Sequence, residues 1–140
     1  MNHQEIECRF LGIDKAALIQ KLRVLGALDK GEQLLDEVMI YDQELKWKEI
    51  HRFIRLRKYG DTIKIAYKNH INLGLDGCEE IEFGIDDMGK AELLFEKIGL
   101  RPYRRQQKLR HTFILGNATI DIDAWPKAPP YVEIEIGRAH

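Results

Sequence analysis

Four stretches of the chain set two carboxylates at strand spacing: Glu5-Ile6-Glu7, Glu80-Ile81-Glu82, Asp121-Ile122-Asp123 and Glu133-Ile134-Glu135. Three others do the same with cations: Arg55-Leu56-Arg57, Lys64-Ile65-Ala66-Tyr67-Lys68 and Lys108-Leu109-Arg110. Side chains alternate between faces along a strand, so each stretch has one charged face and one apolar face. With Arg9, which continues the face of Glu5 and Glu7, the seven stretches carry eight carboxylates and seven cations. Carboxylates gathered together suit a hard divalent cation, which takes oxygen ligands. Gathered guanidinium and ammonium groups suit phosphate oxygens. For any one strand the ordinary reading is a solvated outer face of an antiparallel sheet. A surface sheet mixes charge signs along each strand, because like charges that face each other weaken pairing. Here acidic and basic pairs are sorted onto different strands, which predicts charged faces lining a shared polar cavity.

The elements that must position these faces follow from periodicity and turn chemistry. Residues 4–12 read as the first strand. Asp14 is placed to cap a helix over 15–26, with Ala17, Leu18, Leu22 and Leu25 as its apolar stripe and Gly26 as its stop. Residues 34–41 read as a strand in which Leu35, Glu37 and Met39 alternate with Asp36, Val38 and Ile40, and 42–49 as a charged connection carrying Trp47. Strands over 51–59 and 62–68 flank the hairpin signal Tyr59-Gly60-Asp61. A loop rich in Asn and Gly over 69–77 leads to a strand over 79–84. Asp86 or Asp87 caps a second helix over 88–98, with Ala91, Leu94, Phe95 and Ile98 as its stripe. Strands over 104–115 and 118–124 flank Gly116-Asn117, and a proline-rich bend over 125–130 precedes the last strand, 131–136. The reading is an α+β chain, mainly β. Its long hairpins with polar inner faces predict an eight-stranded closed antiparallel β-barrel with two helices packed outside, which also removes sheet edges.

The bulk numbers narrow the function classes. A chain of 140 residues with 44% hydrophobic and 32% charged content reads as one globular domain. A formal net charge of -1 argues against nucleic-acid or membrane binding through a net basic field, so anion binding has to come from local organisation. Cys8 and Cys78 have no CxxC spacing, which indicates neither zinc nor a disulfide framework. With no signal-peptide pattern or long apolar run, a cytoplasmic setting is expected.

The ordered motifs resemble the signature of the CYTH family, the triphosphate tunnel metalloenzymes, which include class IV adenylate cyclases and thiamine or inorganic triphosphatases. Glu5 and Glu7 fall on the family's opening acidic pair, Arg55 and Arg57 on its Arg-x-Arg strand, and Lys68 on the lysine ending the next strand. Glu80 and Glu82 match the central acidic pair, Lys108 and Arg110 the Lys-x-Arg strand, Asp121 or Asp123 the late aspartate, and Glu133 and Glu135 the closing pair. Arg9 stands where the family pattern has lysine. The pattern also implies a C-terminal helix beyond the last strand, so residues 136–140 are read as non-native and the natural chain as longer.

The resemblance implies a metal-dependent enzyme acting on a triphosphate inside a barrel tunnel, with Mg²⁺ or Mn²⁺ on the carboxylates. Glu5, Glu7, Asp121, Asp123, Glu133 and Glu135 are the implied metal ligands. Arg55, Arg57, Lys64, Lys68, Lys108 and Arg110 are the implied phosphate clamp, and Glu80 and Glu82 are implied at the substrate site, one of them as a further metal ligand. Arg9 and Lys68 are the candidates for a catalytic role. The implied partner is ATP, tripolyphosphate or thiamine triphosphate; a homodimer is allowed. The first reading is a class IV cyclase making cyclic AMP and pyrophosphate. The alternatives are inorganic or thiamine triphosphatase, and a non-catalytic module binding nucleotide or polyphosphate. His51, His70 and His111 have no partner at metal-ligand spacing and read as strand or surface residues. Cys8 is expected in the core beside Ile6 and Phe10, Trp125 packed in the bend without stacking on a base, and Glu79 solvated.

Overall fold

The computed structural model describes residues 3–70, 77–126 and 128–137, and for residues 3–5 the backbone alone. The middle of the expected 69–77 loop and the tail 138–140 lie outside the described residues. The strands are β1 (His3–Phe10), β2 (Leu28–Asp42), β3 (Arg52–Tyr59), β4 (Thr62–His70), β5 (Cys78–Ile85), β6 (Leu100–Leu115), β7 (Ala118–Ala124) and β8 (Tyr131–Ile136). The helices are α1 (Lys15–Val24), α2 (Lys46–Glu49) and α3 (Met88–Lys97). The fold is mainly β, with eight antiparallel strands in one strongly curled sheet. Neighbours run β1-β5-β4-β3-β2-β6-β7-β8, and β1 also pairs with β8. The β1–β5 ladder is the short one, with three paired positions against five between β1 and β8.

Among the described residues, three helices stand where two were expected. The charged connection holds α2, because the Asp42 carboxylate accepts from the backbone N–H groups of Lys46 and Trp47 at 3.1 and 2.9 Å and closes a single turn. Both predicted caps form: Asp14 accepts from Ala17 N at 3.1 Å, and Asp87, rather than Asp86, from Lys90 N at 2.9 Å. β2 and β6 extend well before their expected starts, because they pair with each other along nearly their whole length. The β3–β4 turn runs through Gly60 at φ 58°, a left-handed conformation that costs glycine little.

The apolar core lies outside the curled sheet. Leu22 of α1 packs with Phe113, Ile120, Ile122 and Val132 on β6–β8. Ala91 and Phe95 of α3, with Trp47, pack on Val38, Ile40, Ile54 and Leu56 of β2 and β3. The expected stripes were too wide: Ala17 and Leu25 of the first helix region, and Leu94 and Ile98 at the second, face solvent. Cys8 is likewise half-buried rather than core, and Phe10 beside it is 49% exposed. Glu79, expected to be solvated, is also half-buried. Among the described residues, no helix is long and apolar enough to cross a membrane. With the apolar faces turned outward against the helices, the charged faces turn inward.

Candidate active site

Register brings the charged faces together. Arg57 lies opposite Glu37 and Lys64, Ala66 (between Lys64 and Lys68) opposite Arg55 and Glu82, and Lys68 opposite Glu80. On the other side Arg110 lies opposite Asp123, Asp121 opposite Glu133, and Glu7 opposite Glu135. Residues two apart share a face, so the sorted pairs of the sequence share one interior. The backbone of Glu5 pairs with Cys78, but its side chain lies outside the described ones.

The basic strands lie next to the acidic ones, so the charges neutralise one another. Arg110 forms a two-pronged bond to Asp123, Nε to Oδ1 at 2.7 Å and Nη2 to Oδ2 at 2.8 Å. Lys108 Nζ reaches the same carboxylate at 2.8 Å, and the Tyr131 hydroxyl donates to it at 3.3 Å. Asp123 is 0% exposed. Burial opposes its charge, but Arg110 and Lys108 outweigh burial and hold its carboxyl down at about 2. Burial and the Asp123 charge push the Tyr131 hydroxyl up to about 12. Burial draws Lys108 below its ordinary value, against the pull of Glu37 and Asp123.

Glu37 is a site residue that the sequence reading did not select. It is 3% exposed, bonded by Arg57, approached by Lys108 at 3.6 Å, and hydrogen-bonded by Gln106 Nε2 at 3.2 Å. Burial raises its pKa, and the Arg57, Lys108 and Arg55 charges more than reverse that. Its only signal in the sequence was parity with Leu35 and Met39, and an acidic residue alone among apolar ones gives no charged pair. Arg57 itself is lowered by burial and by its neighbours Arg55 and Arg110.

The side of the interior near β5 is looser. Arg55 Nη2 lies 3.9 Å from Glu82, Lys64 Nζ 3.8 Å from Glu82, and Lys68 Nζ 3.9 Å from Glu7 and 3.0 Å from Glu80. Arg55 Nε is buried 4.0 Å from Glu37, beyond hydrogen-bond reach, and has no hydrogen-bond partner. Arg9 donates to Glu133 at 2.7 Å and lies over the Tyr131 ring, 4.9 Å from its centre. Burial lowers its pKa and Glu133 more than restores it, while Glu133 is held down by Arg9, Arg110 and Lys108 against its own burial.

Two cavities open on this interior. A small one of about 180 Å³ is lined only by ionisable residues, among them Glu80, Glu82, Asp121 and Glu135. A large one of about 1210 Å³ shares Glu7, Arg55, Arg57, Lys68, Arg110 and Glu133 with it and adds Phe53, Trp125 and Tyr131. Trp125, expected to pack the bend, therefore faces the cavity. His70 lines the same cavity, while His111 bonds Asp29 at 2.7 Å. Among the described residues no three His, Cys, Asp or Glu side chains gather closely enough to hold a metal ion. The donors that register aligns, Glu7 with Glu135 and Asp121 with Glu133, are all carboxylate oxygens, the chemistry that Mg²⁺ or Mn²⁺ takes. Asp123 is enclosed by two cations and a hydroxyl, and Asp121 accepts from the Thr112 hydroxyl at 2.6 Å with Arg110 at 3.4 Å.

No protein of curated function matches the chain in sequence. Solved structures do match it. The PH1012 protein of Pyrococcus horikoshii OT3 is 24% identical with a TM-score of 0.83, over 97% of this chain and 80% of that one. A candidate adenylate cyclase of Vibrio parahaemolyticus is 15% identical with a TM-score of 0.84, over 100% and 79%. The Hippeastrum protein HpAC1, a candidate adenylyl cyclase with a dominant triphosphatase activity, is 14% identical with a TM-score of 0.66, over 99% and 80%. At these identities the likeness is one of fold. The CYTH domain profile matches residues 3–139, nearly the whole chain, and the chain belongs to the CYTH domain family.

Proposed function

We propose that the protein is a metal-dependent phosphoryl-transfer enzyme that draws a triphosphate into the curled sheet, working as a closed tunnel. The single observation behind this reading is Arg55: a buried guanidinium nitrogen without a hydrogen bond, where the all-charged cavity meets the larger one. Buried donors are almost always paired, so an unpaired one on a side chain that lines both cavities suits an incoming anion. Arg55, Arg57, Lys64, Lys68, Lys108 and Arg110 bind phosphate oxygens, with Glu82 beside Arg55 and Lys64 and Glu80 beside Lys68. Glu5, Glu7, Glu133 and Glu135, with Asp121 or Asp123, hold Mg²⁺ or Mn²⁺. When bound, the ion neutralises phosphate charge. Arg9, paired with Glu133, and Lys68, between Glu7 and Glu80, touch the reacting phosphate, a role that their shared lining of the large cavity supports.

Phosphoryl transfer asks the protein for positioning and charge neutralisation more than for a covalent partner. In the first reading the enzyme is cyclase-like. The 3′-hydroxyl of ATP attacks the α-phosphorus, the bond to the β-phosphate oxygen breaks, and cyclic AMP, pyrophosphate and a proton result. The second reading is hydrolysis, in which water attacks a terminal phosphorus, the bond from that phosphorus to its bridging oxygen breaks, and orthophosphate, the remaining diphosphate and a proton result. The Hippeastrum neighbour, of the same fold, is described with a dominant triphosphatase activity, which favours keeping this reading. Product analysis tests both, with ATP, tripolyphosphate and thiamine triphosphate, each with Mg²⁺ or Mn²⁺. Cyclic AMP with pyrophosphate supports the cyclase, and orthophosphate alone supports the triphosphatase. Binding without turnover leaves a non-catalytic module. Glu133→Ala is expected to abolish metal-dependent turnover in a folded protein. Retained turnover refutes the ligand role.

A further inference from the structure

Glu37 breaks the pattern of its own strand. On the inward face of β2 it stands between Leu35 and Met39, both buried, so a third apolar side chain would continue that face with no charge to desolvate. What a carboxylate adds there is a hold on groups from both neighbouring strands. β2 pairs with β3 on one side and β6 on the other, which sets Glu37 opposite Arg57 and Gln106 at once. Oε2 takes Nε and Nη2 of Arg57, while Oε1 accepts from Gln106 Nε2 at 3.2 Å and faces Lys108 Nζ at 3.6 Å. With partners on both oxygens from opposite sides, the carboxylate has one orientation.

The cations it holds are both assigned above to phosphate. Arg57 lines both cavities, and Lys108 lines the large one together with Glu37 and Gln106. Arg57 also stands near enough to Arg55 and Arg110 for their charges to oppose its own. Like charges so close spread apart unless something fixes them. Glu37 takes one edge of the Arg57 guanidinium, Nε with Nη2, and leaves Nη1 for another partner. A planar fork held along one edge has a set direction. Lys108 is placed in the same way, between Asp123 at 2.8 Å and Glu37 at 3.6 Å.

We infer that Glu37 is a positioning residue of the phosphate site: touching no phosphate itself, it fixes Arg57 of β3 and Lys108 of β6 in the directions that phosphoryl transfer needs. This rests on the triphosphate reading above. Rate and affinity respond differently to such a residue. A misplacement of about 1 Å can cost about a hundredfold in rate, while the attraction between cations and a polyanion falls only slowly with distance. Taking a carboxylate away from beside a polyanion even favours binding. A carboxylate that only balanced buried charge would contribute stability and leave the rate per folded molecule unchanged.

The test combines steady-state kinetics, on whichever of ATP, tripolyphosphate and thiamine triphosphate the wild type turns over with Mg²⁺ or Mn²⁺, with tripolyphosphate titration in EDTA. Glu37→Gln keeps the shape and removes the charge. It is expected to lose about tenfold or more in kcat while its Kd for tripolyphosphate stays within about threefold of wild type or tightens. In an Arg57→Ala background the same change is expected to cost no more than about threefold in kcat, because a residue through which it acts is gone. Gln106→Ala, which keeps every charge, is expected to lower kcat about threefold, the worth of one hydrogen bond on the carboxylate. An unchanged kcat in folded Glu37→Gln overturns the inference. So does an equal loss of kcat and affinity, or an undiminished loss in the Arg57→Ala background. If Glu37→Gln does not fold, an unchanged kcat in Gln106→Ala overturns it instead. Each of these outcomes leaves the triphosphate reading standing. A wild type that turns over none of the three substrates removes the enzymatic reading and this inference together.

Discussion

The two sides of the interior hold similar charges in different ways. Toward β6 and β7, Arg110 and Lys108 close on Asp123 at 2.7 to 2.8 Å, and the carboxylate is 0% exposed. Toward β4 and β5, Arg55 and Lys64 stand 3.8 to 3.9 Å from Glu82, and Arg55 Nε has no hydrogen-bond partner. A two-pronged bond between arginine and carboxylate is short, directional and strong, whereas ions nearly 4 Å apart and partly in water attract weakly. On the first side Lys108 and Arg110 are therefore anchored by Asp123, and a phosphate has to share them with that carboxylate. The second side is where an anion can enter without first displacing a good partner.

The largest effect is expected where the scaffold is broken. Asp123→Asn removes the nearest counter-charge of buried Arg110 and Lys108, leaving them Asp121 at 3.4 Å and Glu37 at 3.6 Å, and should cost about 3 kcal/mol of stability in urea unfolding. A cost below about 1 kcal/mol would dissolve the contrast between the two sides. Next comes acid. Asp123, at about 2, and Glu37 and Glu133, below their ordinary value, all bind protons more weakly folded than unfolded. Their stabilisation is complete above the unfolded carboxylate range, about 4, and is lost as pH falls through the folded values. The urea midpoint should therefore hold level above about pH 5 and decline steadily toward pH 2; Asp123→Asn should flatten part of that decline, and an unaltered slope in the variant would contradict it.

Arg55→Ala should separate binding from stability. It is expected to weaken tripolyphosphate binding about tenfold, the contribution of a charge-assisted hydrogen bond, with far less loss of stability than Asp123→Asn. Equal destabilisation by both would make Arg55 another scaffold residue. The smallest effect belongs to Lys64, whose side chain is 40% exposed and 3.8 Å from Glu82. Lys64→Ala should change stability by less than about 0.5 kcal/mol, and a larger change would mean that the open side is also structural.

Much of this interior could be read from the chain. The acidic and basic pairs declare themselves because strand period is two and each pair flanks an apolar residue, as in Arg55-Leu56-Arg57. Glu37 could not be found this way. Its neighbours in the face are Leu35 and Met39, and it becomes central only because β2 pairs with both β3 and β6, setting it opposite Arg57 and Gln106. Trp125 shows a related limit: proline neighbours describe a bend, and only the fold shows that the ring also lines the large cavity with Lys108 5.0 Å from its centre. The helix stripes were overdrawn because periodicity marks a face without saying how much of it a curved sheet will cover, and Leu94 and Ile98 remain outside the contact.

What the sequence by itself determined was the sorting: which residues carry charge, that they share faces, and that those faces oppose apolar ones. Those are local properties of alternation along a strand. The partnership of each charge was decided only in the tertiary structure, because strand order is not chain order. β1 sits between β5 and β8, and β2 between β3 and β6, so Arg9 meets Glu133, Lys68 meets Glu7 and Lys108 meets Glu37 from strands far away in sequence. Whether a charge ends up closed in a short buried bond, like Asp123, or left open, like Arg55, depends on distances of an ångström across those pairings, and no local pattern encodes them.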